Sequence, residues 1–365
     1  GCSRLLSILL FAATAMIGLA EMNPLFHSPF PVPTPPPSAS TSPDSSHKHP
    51  HPTHVSHHGS MPKSIKTRYV LCAGSSRDDY HATLRALNSR SRTPKKWLGQ
   101  HYMLNSSINE QLVHVADVRE GDVVLEIGPG TGSLTSVLVN AGATVLAIEK
   151  DPEMTALVRE RFEDTDRLQV LLEDFTKCHV RSHLLALQNR ISLDADLRHA
   201  KVVSNIPFNI STDVVKLLLP MGDILSQVVL LLQDEAALRL VDDPLRTAAY
   251  RPINIFVNFY SVPEYKCKVP RTNFFPQPKV DAAIVAFKLK QPWDYPGVSS
   301  VKSFFSMVNS AFNGKRKMLR RSLLHIRPSV EIEAALQKAR LPPTSRPEEL
   351  TLDDFVRLHN MITNV

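Results

Sequence analysis

"GDVVLEIGPGTGSLTSVLVNAGATVLAIEKD" (121–151) passes through three kinds of local order in one short stretch. "DVVLEIG" is an apolar run of strand length, rich in valine and isoleucine. It breaks into "GPGTGS", where glycine permits tight turns and the close approach of a ligand to backbone. "SLTSVLVNAG" then reads as a helix that stops at Gly142. "TVLAIE" is a second strand, and it ends on Glu149. Strand, glycine loop, helix and strand make one βαβ unit. The right-handed crossover sets both strands parallel in one sheet, which puts the chain in the α/β class.

The glycine spacing discriminates between ligands. A dinucleotide fingerprint wants G-x-G-x-x-G. Here Gly128, Gly130 and Gly132 fall on every second residue, and Ser133 stands where the third glycine belongs. No cluster of Lys or Arg lies in the loop to pair with phosphate. The pattern E-x-G-x-G-x-G, followed 21 residues after Gly128 by an acid, resembles motifs I and II of class I S-adenosylmethionine-dependent methyltransferases. That resemblance implies a Rossmann-like, mostly parallel seven-stranded sheet and a cofactor without phosphate. Gly128 and Gly130 would let backbone pass close to its methionine and ribose parts. Glu149 would accept both ribose hydroxyls; the plainer reading is a solvated carboxylate at a strand end. "LQVLLEDF" (168–175) reads as a third strand, with Asp174 placed to accept the adenine amine or, more plainly, to serve a turn.

"HAKVVSNIPF" (199–208) supplies a fourth strand, and "SNIPF" lies at the end where open α/β sheets bind ligands. The residue types suit methylation of an exocyclic adenine amine. Such an amine is a poor nucleophile until it pyramidalises, because its lone pair is delocalised into the ring. The Asn205 side-chain oxygen and the Pro207 carbonyl can accept its two N–H groups, and Phe208 can stack on the base. Catalysis then rests on positioning and dipoles, without a general base. The competing reading is a strand-ending turn with a core phenylalanine. These residues resemble the (Asn/Asp)-x-Pro-(Phe/Tyr) motif of amino-methyltransferases.

"KKWLGQHYMLN" (95–105), "LEIGPGTGSLT" (125–135), "SNIPFNIST" (204–212) and "NFFPQPKVDAAIVAF" (273–287) together resemble the ribosomal RNA adenine dimethyltransferase family, over about residues 93 to 365. The resemblance implies dimethylation of two adjacent adenosines near the 3′ end of small-subunit rRNA, within an immature ribosomal subunit. It implies S-adenosylmethionine contacts at His101, Met103, Gly128, Gly130, Glu149, Asp174 and Asn205. It places Asn205, Pro207, Phe208 and Phe274 at the reacting base, with Phe274 closing on the other face of the adenine. The bacterial pattern has Asn and Leu where this chain has His101 and Met103, a change that a backbone contact tolerates and a side-chain contact does not. A non-catalytic factor in ribosome assembly or transcription on the same fold is the rival reading. An amino-methyltransferase of DNA or protein is a further one.

The 365 residues carry a formal charge of +7, with a pI of about 9.2. That balance suits an acidic partner, although many soluble proteins are mildly basic. The charge concentrates in "SFFSMVNSAFNGKRKMLRRSLLHI" (303–326). Phe305, Val308, Phe312, Leu319 and Leu323 recur near helical spacing, while Lys315, Arg316, Lys317, Arg320 and Arg321 crowd the other faces. A membrane surface, calmodulin or simple solvation would also suit such a helix. Beside a nucleobase enzyme, RNA backbone is the favoured partner. Gly314 is placed to kink or split it, and "TSRPEELTLDDFVRLHNMI" (344–362) holds a terminal helix begun by Thr351. We expect a methyltransferase domain over 93–290, a small helical RNA-binding domain over 291–365, and a monomer.

Residues 1–92 differ in kind. "LLSILLFAATAMIGLA" (5–20) is short for a membrane span, and Met22 is the candidate start. The Pro-, Ser- and His-rich, acid-poor stretch that follows resembles an organelle transit peptide. "VLCAG" (70–74) resembles a stromal processing site cut between Cys72 and Ala73, with 75–92 a polar linker. Import into a plastid is expected, with mitochondria second. The four cysteines have no paired spacing, so neither a disulfide framework nor a metal site is expected.

Overall fold

The structure, a computed structural model, describes residues 100–191, 199–241, 249–314 and 317–363. The leader with its processing site, residues 93–99, and Lys315 and Arg316 lie outside the described residues.

A two-residue strand, β1 (Tyr102–Met103), precedes helix α1 (Ser106–Val115), whose first turn is capped by Asn105 Oδ1 accepting the Ser107 N–H at 3.1 Å. The quoted βαβ unit forms as read: β2 (Val123–Ile127), α2 (Ser133–Asn140) and β3 (Thr144–Glu149). Helix α3 (Pro152–Arg161) starts on Asp151, which accepts the Glu153 N–H at 3.0 Å, with Pro152 in the first turn. Then come β4 (Leu168–Leu172), α4 (Val180–Ile191), β5 (Ala200–Asn205), α5 (Ser211–Leu218), β6 (Leu225–Gln233), α6 (Asp234–Val241) and α7 (Pro252–Tyr260). Strands β7 (Ser261–Val269), β8 (Phe274–Phe275) and β9 (Ala282–Leu289) complete the β structure.

Seven strands form one sheet in the order β4-β3-β2-β5-β6-β9-β7. The first five run parallel; β9 is antiparallel to both β6 and β7. Every residue of β2 is buried, as a parallel strand covered on both faces requires. Alternate residues serve opposite cores. Leu125, Leu146, Val202 and Leu230 pack with α4, α5 and the C-terminal helices, whereas Val124, Val145, Val203 and Val229 pack with α1, α2 and α3. Strand order reverses between β2 and β5, which opens a crevice at their C-terminal ends.

The C-terminal helices are α8 (Val301–Asn313), α9 (Leu319–Ser322), α10 (Ser329–Lys338) and α11 (Leu352–Thr363). The single amphipathic helix expected over 303–326 is split at Gly314. A Cβ there would lie 3.1 Å from Ser322 Cβ, so the absent side chain is what lets the chain fold back on itself. Phe304, Met307, Val308 and Ala311 bury the face of α8, with Phe305 and Phe312 half-buried beside them. At α11, Thr351 Oγ1 accepts the Asp354 N–H (3.2 Å) and Asp354 Oδ2 accepts the Thr351 N–H (2.9 Å), a reciprocal cap. Among the described residues no helix is long and apolar enough to cross a membrane.

Candidate active site

A cavity of about 310 Å³ opens at the C-terminal ends of β2, β3, β4 and β5, within the size range of small-molecule sites. Its floor is the glycine loop. Gly128, Gly130 and Gly132 have φ of 67°, 55° and 80°, the left-handed region that side chains disfavour. A Cβ on Gly130 would stand 3.2 Å from the Tyr102 ring, and one on Gly128 3.6 Å from Pro207 Cδ. The loop is therefore closed from both sides, and bare backbone is what fits there.

Between β2 and β5 the backbone pairing runs only from Val124↔Lys201 to Leu125↔Val202. Beyond it the buried Ser204 hydroxyl takes over. It donates to the Ile127 carbonyl (2.6 Å) and accepts the Ile127 N–H (2.9 Å). One side chain thus spaces the strands apart at the mouth and fixes "SNIPF" relative to the glycine loop.

Glu149 is 7% exposed and faces the cavity from the end of β3. Its Oε1 accepts the Asp151 N–H at 2.9 Å and its Oε2 the Gly130 N–H at 3.3 Å. Burial raises its pKa, and these two N–H groups oppose the rise. Behind it Glu126 is fully buried in β2, accepts the Thr135 hydroxyl at 2.7 Å, and is pushed up to about 8, first by burial and then by the charge of Glu149. Asp174 lies beyond β4 rather than on it. It accepts the Thr176 N–H (3.1 Å) and hydroxyl (2.8 Å) and pairs with Lys150 at 2.8 Å. Lys150, then Thr176, hold its carboxyl down to about 2. The turn role and the cavity-wall role therefore coincide in one residue.

His101 and Met103 both reach the cavity. They are brought there by β1, which pairs antiparallel with β8 through Tyr102↔Phe275 and Met103↔Phe274. His101 Nδ1 lies 2.7 Å from the Pro276 carbonyl, so that nitrogen carries a proton and donates it. The His101 ring stacks on Phe208 with centroids 5.6 Å apart at 29°. Asn205 is half-buried at the end of β5, and no hydrogen bond among the described residues engages its side-chain amide.

Three expectations need correction. Phe274 does not line the cavity: it is 2% exposed, belongs to the core, and meets Phe208 edge-on (6.4 Å, 70°). Its strand pairing with Met103 turns the ring inward, so it supports Phe208 and offers no face to a base. The Pro207 carbonyl already accepts the Ile210 N–H at 3.2 Å, whereas the neighbouring Ile206 carbonyl is engaged by none among the described residues. Arg320 is committed within the protein to Glu333 at 2.6 Å, with its Nε buried, which takes it from the set of free cations. Lys317 and Arg321 are exposed.

Several cavity residues escaped sequence reasoning. Glu126 was visible as an acid inside an apolar strand. Asn109, on α1, is 1% exposed, lines the cavity, and has an Oδ1 without a partner among the described residues. Gln100 donates to Asp151 at 3.1 Å and accepts the Tyr102 hydroxyl at 2.9 Å, tying the segment before β1 to the start of α3. No local pattern marks Asn109 or Gln100, since each acts through contacts made only in the folded chain.

A sequence model for a family described as ribosomal RNA adenine dimethylase matches residues 92–364. The chloroplastic ribosomal RNA small subunit methyltransferase of Arabidopsis thaliana is 71% identical over 298 residues, 81% of this chain and 87% of that protein. Ribosomal RNA small subunit methyltransferase A of Protochlamydia amoebophila is 35% identical over 274 residues, 75% of this chain and 93% of that protein. Among solved structures, the 23S rRNA methyltransferase ErmE matches with a TM-score of 0.54 at 23% identity, covering 72% of this chain and 99% of that one. A dimethyladenosine transferase from Plasmodium falciparum matches at 0.51 and 23%, covering 69% and 93%. These two likenesses bear on the fold, which is that of the S-adenosylmethionine-dependent methyltransferases.

Proposed function

The chain belongs to the ribosomal RNA adenine dimethylase family, and from that membership we propose that it dimethylates two adjacent adenosines near the 3′ end of small-subunit rRNA. The observation that carries the chemistry is a juxtaposition. Across the β2/β5 crevice, Asn205, whose side-chain amide has no partner among the described residues, stands opposite a cradle of bare glycine backbone.

The wall residues fit S-adenosylmethionine. Glu149 offers carboxylate lone pairs to ribose hydroxyls, held in place by its two backbone donors. Asp174 and the Phe175 turn suit the adenine end. The Asn109 oxygen, without a partner among the described residues, suits the ammonium of the methionine end, and Gly128, Gly130, His101 and Met103 shape the remaining wall. When bound, this cofactor supplies an electrophilic methyl group on a sulfonium. The protein's part is to aim a nitrogen at it. Asn205 Oδ1 and the Ile206 carbonyl accept the two N–H groups of the target amine, which localises its lone pair. Phe208, backed by His101 and edge-on by Phe274, presents a ring for the base to stack on. The neutral amide suits a reaction in which positive charge moves from sulfur to nitrogen.

The partner is read as rRNA in an immature small subunit, gripped by the helical segment 291–365 through exposed cations that include Lys317 and Arg321, with the enzyme acting as a monomer. The plastid is the proposed compartment. The Pro- and Ser-rich, acid-poor leader and the likeness to the Arabidopsis chloroplastic protein support it. The test is methyl transfer from radiolabelled cofactor to immature small subunits, followed by mapping of the modified bases. Two neighbouring dimethyladenosines support the proposal. Cofactor binding without RNA labelling would favour an assembly role on the same fold.

A further inference from the structure

At the edge of the cavity, the turn that leaves β4 brings together three side chains of different ligand chemistry. Glu173 follows β4, Cys178 follows the short turn Phe175–Lys177, and His183 lies in α4. A carboxylate oxygen, the sulfur and a ring nitrogen of these residues all lie within 4.8 Å of one another. His183 Nε2 is already 3.4 Å from Glu173 Oε1. Their backbones are anchored separately. The Glu173 N–H donates to the Glu149 carbonyl (2.9 Å), that of Cys178 to Phe175 (3.3 Å), and that of His183 to His179 (3.2 Å). Each of the three residues is thus tied to the fold by its own backbone bond. Cys178 carries a free thiol, and all three side chains are half-buried, which leaves a path for water.

We propose that Glu173, Cys178 and His183 form a binding site for a divalent ion of the zinc class, with water as the fourth ligand. Zinc bonds of about 2.0–2.3 Å to oxygen, nitrogen and sulfur set tetrahedral edges of roughly 3.3–3.8 Å. The Glu173–His183 edge, at 3.4 Å, already has that length, and the other two edges lie within 4.8 Å. The Cys178 S–H bond breaks, its proton passes to solvent, and a metal–sulfur bond forms. Thiolate, carboxylate and neutral imidazole then balance the two positive charges. Softness of the donors favours zinc over magnesium or calcium.

Glu173 precedes Asp174 directly, and both line the cavity. Filling the metal site would brace the turn that carries Asp174 and tighten the adenosine end, a consequence that rests on the proposed cofactor reading. The metal site itself does not.

Cobalt(II) titration of the full chain tests it, because a thiolate ligand gives a sulfur-to-cobalt charge-transfer band that the imidazoles of the leader tract "HKHPHPTHVSHH" (47–58) cannot produce. The expected result is a band saturating at one equivalent and bleached by zinc. It should be lost in Cys178→Ser, and its midpoint weakened at least tenfold in His183→Gln, with both variants melting as cooperatively as the parent. No band, or a band that survives Cys178→Ser, overturns the site. If Cys178→Ser fails to fold, His183→Gln decides: an unchanged midpoint overturns the proposal. Separately, affinity for S-adenosylhomocysteine should rise when zinc is present. Equal affinity with and without zinc removes the link to Asp174. No binding at all would count against the cofactor reading while leaving the metal result intact.

Discussion

Replacing Glu149 with glutamine separates the cofactor role from the structural one. The carboxylate now receives two backbone N–H groups, from Asp151 at 2.9 Å and from Gly130 at 3.3 Å. Glutamine can keep its oxygen on the shorter of these. Its NH₂ then faces the Gly130 N–H, donor against donor, and the glycine loop loses its anchor. The remaining lone pairs of a charged acceptor, proposed to hold the ribose hydroxyls, disappear as well. Loss of a hydrogen bond to a charged group costs about 1.5–3 kcal/mol, which corresponds to roughly 10- to 150-fold in affinity. Folding stability should change far less, because the substitution also removes a buried charge that desolvation disfavours. Calorimetric titration with S-adenosylhomocysteine should therefore show the loss while the melting temperature of the free protein and its affinity for rRNA stay close to the parent values. A dissociation constant within twofold of the parent would refute the assignment. A parallel loss of cofactor and RNA binding would show that the residue only holds the fold.

Glu126 gives a pH dependence with a definite sign. Its carboxyl is raised in the folded state to about 8, so its contribution to stability is fully present below the ordinary carboxylate range and is lost as pH rises through about 8. Glu126→Gln, which can still accept the Thr135 hydroxyl, should flatten the decline in melting temperature between about pH 5 and 8; an unchanged slope would show that the carboxyl ionises elsewhere. Gly132→Ala places a Cβ 2.8 Å from the Phe162 ring at a φ of 80°, and should cost about 1–3 kcal/mol; denaturant unfolding within 0.5 kcal/mol of the parent would contradict the geometry. Neutralising Lys317 and Arg321 together should flatten the slope of log affinity for RNA against log salt by about 1.5–2. Arg320→Ala should lower stability through Glu333 and leave that slope alone. The reverse pattern in a salt series would reverse these assignments.

The βαβ unit was legible because three signals in 121–151 agree: apolar runs of strand length, glycines at the turn, and an acid at the second strand's end. The parallel direction of β4, β3, β2 and β5 follows from such crossovers, whereas their order comes from the structure. Asn205 and Phe208 were legible as cavity-lining residues because the C-terminal strand ends of such sheets border the crevice. What resisted reading depends on distant pairing. Nothing in "NFFPQ" says that Phe274 turns inward, since that follows from its register with Met103, 171 residues away. Arg320 looked like a free cation in a basic run until α10 placed Glu333 against it. Ser204 reads as an ordinary strand residue, although it replaces the backbone ladder at the crevice mouth. The proposed second amine acceptor, the Ile206 carbonyl, likewise needs the turn geometry, because the Pro207 carbonyl accepts the Ile210 N–H within its own turn.

In the proposed reaction the Asn205 amide aims the target nitrogen and does little else. Single-turnover methyl transfer to immature small subunits, with enzyme and cofactor saturating, measures that step alone for Asn205→Ala against the parent. The account predicts a rate at least 100-fold lower, of the size seen when one preorganised hydrogen-bonding partner is removed, with cofactor and RNA affinities within about threefold. A variant that transfers methyl groups as fast as the parent would contradict it.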